Sequence, residues 1–126
     1  MEDKMFKKIV ILLFVFLFSS NLIMAASVYD ITTRYAALQG EWNRVVENAK
    51  DWLGEEPGSP VAHLLLSLGY YFTQEYQKSY FESKILMKNK DGQNKVIQWA
   101  ENLVKDNLEN ALAYYILANA YYSMSY

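Results

Sequence analysis

The side chains that could do chemistry are few and scattered. His63 is the one histidine of the chain and no cysteine accompanies it; a single imidazole without a second nitrogen or a thiolate is a poor basis for a metal site. It falls in the first turn of a helix, four residues past Ser59, with no carboxylate close by in sequence to orient the ring. Glu55 and Glu56 pair two carboxylates, but adjacent residues in a turn point apart and nothing beside them supplies a partner acid or cation. Asp91 opens the stretch DGQN, which lacks the oxygen-ligand spacing of a calcium loop. Phosphate-cradling glycine loops, nucleophile elbows and paired-histidine metal helices are absent. The sequence predicts no catalytic residue, no metal and no cofactor, so the chain reads as a binding protein and not an enzyme.

Composition narrows the partner. The opening MEDKMFKKIVILLFVFLFSSNLIMAAS sets Lys4, Lys7 and Lys8 before an apolar run from Ile9 to Phe18, then small residues at Ala25, Ala26 and Ser27. That is the layout of a secretory signal with a small-residue cleavage site. The run from Ile9 to Phe18 spans about 15 Å as a helix, roughly half the hydrocarbon thickness; extended to Met24 it just spans, so a retained anchor over residues 9–26 is the alternative. Both readings send the remainder across a membrane, in a bacterium to the periplasm or cell envelope. The segment 1–26 is thus separate from a domain over 27–126. Lacking cysteine, that domain has no disulfide framework and is stabilised by packing alone. Removing the three lysines and two acids of the leader from the twelve basic and fourteen acidic residues leaves a net charge of −3. Such a domain, with no basic cluster, has poor electrostatics for a nucleic acid, and it meets a membrane only through its N-terminal segment.

The elements that carry these residues read as helices throughout. Ile31, Tyr35 and Leu38 mark a first helix ending near Gly40. Trp42, Val45, Val46, Ala49, Trp52 and Leu53 form an apolar stripe on a second, with Gly54 as its stop. Ser59 and Pro60 read as N-cap and first position of a third. Its apolar residues run from Val61 to Ile85 without a breaker before Asn89, which makes one long middle helix. NKDGQN at 89–94 reads as a break, Val96 to Val104 as a fourth helix, and Ala111 to Tyr126 as a fifth. The expectation is an all-α chain, five helices after the hydrophobic leader, joined as antiparallel hairpins.

Spacing within these helices repeats. Tyr114, Leu117, Ala118 and Tyr121 follow Leu65, Leu68, Gly69 and Phe72 at an offset of 49 residues, and Val96, Ala100, Leu103 and Leu108 follow Val45, Ala49, Trp52 and Pro57 at an offset of 51. These sets resemble the tetratricopeptide repeat, whose signature puts an aromatic, Leu, Gly and Tyr on one helix and small and aromatic residues, then Pro, on the next. The wording ALAYYILANAYY is especially similar. The chain departs from the family in needing 49 residues where about 34 are usual, which places an insertion of 15 between Phe72 and Val96. Leu108 stands where a proline normally closes the unit, and the sequence stops one helix into its last repeat.

The resemblance implies a short solenoid of stacked hairpins acting as a scaffold for protein–protein interaction. Its packing residues would be Val45, Ala49, Trp52, Leu65, Leu68, Gly69, Phe72, Val96, Ala100, Leu103, Tyr114, Leu117, Ala118 and Tyr121. The family's groove, carried over position by position, would be lined by His63, Leu66, Tyr70, Thr73, Tyr115, Asn119 and Tyr122, with a protein or peptide segment as partner. Asn119 is the most specific of these, because an amide offers both donor and acceptor to a peptide backbone. A final helix with Tyr115, Ile116, Tyr121 and Tyr122 has little polar face, whereas a terminal repeat needs one. That edge is expected to meet a second copy of the chain or to continue in a longer array.

Overall fold

The computed structural model describes residues 2–124, with side chains described at 4–13 and 28–123. Six α-helices follow one another: α1 (Glu2–Leu38), α2 (Trp42–Glu55), α3 (Pro60–Phe72), α4 (Tyr76–Met87), α5 (Lys90–Asp106) and α6 (Ala111–Met124). No strand occurs among the described residues. The fold is all-α, and its pivot is α3, in which every residue from Leu64 to Tyr70 is buried. A helix apolar all round must be covered all round, and α3 is flanked by α2 and α4 and also touched by α5 and α1. One core joins all six helices through Ala36, Val45, Leu65, Leu86, Leu103 and Ile116. Full burial of Leu65, Leu103 or Ile116 stabilises by about 1.5–3 kcal/mol each relative to exposure.

Local chemistry sets the boundaries. Ser59 Oγ accepts from the amide of Ala62 at 3.3 Å, and Pro60 occupies the first helical position of α3. Asn89 caps α5 in the same way, its Oδ1 accepting from Gly92 N at 2.9 Å. Gln93 Nε2 donates to the carbonyls of Leu86 and Met87, satisfying the end of α4. Asn110 accepts from Leu112 N at the start of α6 and donates to Leu38 O, tying that start to the end of α1. Trp99 Nε1 donates to Asp30 Oδ1 at 3.1 Å, joining α5 to α1.

The middle of the chain differs from its sequence expectation. The single helix expected from Val61 to Ile85 is two helices, broken at Thr73–Glu75 with Gln74 at φ 66°. Turn residues are no guide there, because a glutamine occupies the left-handed position that glycine usually fills. The stretch 89–94, expected as a break, lies almost wholly inside α5. A Cβ at Gly92 would stand 2.7 Å from Nδ2 of Asn89, whose side chain caps this helix, and 3.1 Å from Pro60 Cβ where α5 meets the start of α3. Of the five helices expected after the leader, the first (28–38) is the end of α1.

Two hairpins are alike in detail, at a spacing other than 49. Gly40 (φ 72°) and Gln74 (φ 66°) are the left-handed residues, 34 apart (74 − 40). Glu41 N bonds to Ala36 O at 2.9 Å as Glu75 N bonds to Tyr70 O at 2.8 Å, and Gly40 N bonds to Ala37 O as Gln74 N bonds to Tyr71 O, both at 3.1 Å. Buried pairs share the offset: Thr33 and Ser67, Ala36 and Tyr70, Val45 and Ser79, Trp52 and Leu86. The insertion expected between Phe72 and Val96 is therefore absent from the described structure; α3–α4 repeats α1–α2 without it.

Candidate functional site

A hollow walled by three helices opens beside α3. Leu64, Ser67, Leu68 and Tyr71 of α3 form one wall, Ser79, Ser83, Leu86 and Met87 of α4 a second, and Tyr115, Asn119, Tyr122 and Ser123 of α6 the third. Its volume is about 280 Å³, at the lower edge of what a small ligand fills. The floor is a serine ladder that lets α3 and α4 approach closely. Ser67 Oγ donates to Ser79 O at 3.0 Å, Ser79 Oγ donates to Ser67 O at 2.8 Å, and Ser83 Oγ lies 2.6 Å from Ser67 Oγ. Asn119 Nδ2 donates to Tyr115 O at 2.9 Å, which anchors the amide beside the cleft.

Above the cleft, at the C-terminal end of α3, exposed aromatic rings touch in series. Trp42 stacks on Phe72 with centroids 4.4 Å apart; Tyr71 and Tyr115 meet Phe72 edge-on at 5.5 and 5.4 Å, and Tyr76 meets Tyr71 at 5.6 Å. Tyr71, Phe72, Tyr76 and Tyr115 are all solvent-exposed. Tyr71 and Tyr115 belong to both the rings and the cleft wall, so the two are continuous.

The seven expected groove residues separate into two groups. Tyr115, Asn119 and Tyr122 stand together in the cleft. Leu66 and Tyr70 are buried against Val46 and Ala49 of α2, on the far side of α3, and so do not line the groove assigned to them. Thr73 turns its hydroxyl back to Gly69 O at 2.9 Å, as part of the α3 terminus. His63 is nearly covered, with Nδ1 2.6 Å from Glu82 Oε2 and Nε2 3.0 Å from Pro57 O. It ties α3 to α4 and to the preceding turn, a structural tie whose carboxylate is 19 residues away in sequence. The cleft residues absent from the sequence reading, chiefly Ser67, Tyr71, Ser79 and Ser83, carried one available signal: a small residue on each of two helices 12 positions apart.

Among the expected packing residues, Val45, Ala49, Trp52, Leu65, Leu68, Gly69, Val96, Ala100 and Leu103 are buried and Leu117 is partly so. Tyr114, Ala118 and Tyr121 are exposed, which corrects their assignment; Phe72, also exposed, still packs on Trp42 of α2 and Tyr115 of α6. The buried stripe of α6 is Ala113, Ile116, Ala120 and Ser123; it presents small residues inward and lets the bulky tyrosines keep their hydroxyls in water. Tyr114 OH donates to Leu108 O, and Tyr121 OH donates to Glu101 Oε1 at 2.5 Å, which raises the Tyr121 phenol above the ordinary tyrosine range. The Glu75 carboxylate hydrogen-bonded to Lys78 holds that ammonium above its usual value in the same way.

Among the described residues, no three His, Cys, Asp or Glu side chains converge as metal ligands, and no helix is long and apolar enough to cross a membrane. The expected leader lies largely outside the described side chains, which omit 14–27; those of Met5 to Leu13 are exposed. No protein-family model, curated protein or solved structure matches the chain.

Proposed function

We infer that the chain is a tetratricopeptide-like helical repeat scaffold whose cleft between α3, α4 and α6 receives a segment of another protein. One observation carries the reading: helix ends, left-handed turn residues and buried positions recur at 34 residues, the period of that repeat class. The tyrosines at the mouth of the cleft supply the contact area that protein-recognition surfaces favour, and the Asn amide and Ser hydroxyl groups beside them add hydrogen bonding without charge. The uncovered apolar run from Ile9 to Leu13 behind Lys4, Lys7 and Lys8 supports an export signal or membrane tether, which makes the partner a protein of the cell envelope.

The test is peptide selection on the full chain, followed by the double variant Tyr115→Ala with Asn119→Ala. Selected peptides are expected to lose binding to that variant at unchanged helicity, and to keep it for Tyr114→Ala with Tyr121→Ala. Equal binding to all three chains would remove the cleft from consideration. A second reading, self-assembly through α6, is favoured by the exposed row Tyr114, Ala118 and Tyr121, where a small residue lies between two rings. Sedimentation separates the two, since a chain that stays monomeric excludes it.

A further inference from the structure

We propose that the aromatic strip Trp42–Phe72–Tyr71–Tyr76, with Tyr115 at its side, binds a proline-rich segment in the polyproline II conformation. This rests on the segment-binding reading above and names the chemistry of the segment. The rings step at near-equal intervals, 5.4 Å from Tyr115 to Phe72, 5.5 Å to Tyr71 and 5.6 Å to Tyr76. Alternate rings therefore stand at most about 11 Å apart, a bound that admits the roughly 9.3 Å that one three-residue polyproline II turn advances. Every third residue of such a segment can meet a ring of the strip.

Ring orientation selects among apolar ligands. Interplanar angles of 88°, 66° and 60° make wedges, each with one ring as wall and the edge of the next as floor. A compact pyrrolidine fits a wedge, whereas a flat base or sugar needs an open ring face to stack upon. The widest face, that of Trp42, is covered on one side by Phe72 at an angle of 12°. Net charge is −2, and Glu41 and Glu75 flank the strip, each already paired with a basic neighbour, which disfavours a phosphate backbone.

Hydroxyl commitment supplies a second, independent observation. The outer tyrosines are tied to their own chain, Tyr114 to Leu108 O and Tyr121 to Glu101. The hydroxyls of Tyr71, Tyr76 and Tyr115 form no hydrogen bond among the described residues, although all three residues are ordered against other rings. A polyproline II segment has no internal hydrogen bonds, so its carbonyls need donors. Aromatic-lined grooves dock such segments, and a phenol hydroxyl beside the groove can donate to one of those carbonyls.

The test is a titration of the full chain with a decaproline peptide, followed by tryptophan emission. Saturable binding is expected, weakened about tenfold by Tyr71→Ala and about threefold by Tyr76→Phe, which removes only a hydroxyl. Tyr114→Ala should leave it unchanged, and circular dichroism verifies the fold of each variant. Absence of saturation, equal binding of a glycine–serine peptide of the same length, or an equal loss in Tyr114→Ala overturns the proposal. So does a dimer dissociated by Tyr71→Ala, which assigns the strip to a second copy. If decaproline fails while selected peptides still depend on Tyr115 and Asn119, the proline-rich inference falls and the segment-binding reading stands; if both fail, both fall.

Discussion

Gly69 tests how α3 is held against α2. A Cβ added there would lie 2.8 Å from Val46 Cγ2 and 3.4 Å from both Trp42 O and Val45 Cγ1. The nearest atom belongs to a β-branched side chain, which in a helix has essentially one rotamer and cannot swing aside. Gly69→Ala should therefore incur about 1–3 kcal/mol of overpacking, offset by the roughly 1 kcal/mol that alanine gains over glycine inside a helix. The net expectation is about 0–2 kcal/mol of destabilisation, read from urea unfolding followed by circular dichroism. Val46→Ala alone should cost about 1.5 kcal/mol or more for the carbons removed from a buried site. The two together should cost less than their sum by about 1 kcal/mol, because the second substitution empties the space the first invades. Additive costs, or a Gly69→Ala chain more stable than the parent as at an open helix position, would refute the contact.

Two further outcomes follow from named side chains. Thr33 Oγ1 is buried without a hydrogen-bond partner, and the position 34 residues before Ser79, the partner of the corresponding Ser67, is Val45, which has no polar side-chain atom. Thr33→Val should raise stability by about 1 kcal/mol, whereas Ser67→Ala, which removes the donor to Ser79 O and the partner of Ser83 Oγ while leaving the bond from Ser79 Oγ to Ser67 O, should lower it by about 1–3 kcal/mol in the same unfolding assay. Tyr121, held protonated by its bond to Glu101, should form phenolate only above the ordinary tyrosine range in an ultraviolet titration, and Tyr121→Phe should remove that late component. Since the folded value is raised, the contribution of this bond to stability is present below the ordinary tyrosine range and is lost as pH rises through the shifted value.

What the sequence made legible was pattern where pattern had one solution. The stripe of Val45, Ala49 and Trp52 has a polar opposite face, and only one rotation of α2 buries it. Ser59 and Pro60 likewise announce a helix start by their chemistry. α6 gave no such constraint: Tyr114, Tyr115, Ile116 and Leu117 are successive bulky residues, so two rotations fit, and the one chosen by packing puts alanines inward at 113 and 120. The true repeat stayed hidden because its markers change type between copies. Gly40 becomes Gln74, and the buried Thr33 and Val45 become a serine pair, so a period of 34 residues is visible in backbone geometry and burial but not in residue identity. The cleft was half visible for the same reason, with Tyr115 and Asn119 readable on one helix and the serine floor dependent on where α4 begins.

The repeat unit itself rests on the turn at Gln74, and one substitution there distinguishes it from a continuous middle helix by sign. In the left-handed conformation a non-glycine residue is strained by about 1–2 kcal/mol, and glycine relieves this at a cost of about 0.4–1 kcal/mol in unfolded-chain entropy. Unfolding of Gln74→Gly should thus show a chain more stable than the parent by about 0.5–1 kcal/mol. A chain less stable by about 1 kcal/mol, the usual penalty for glycine within a helix, would contradict the 34-residue unit and the function built on it.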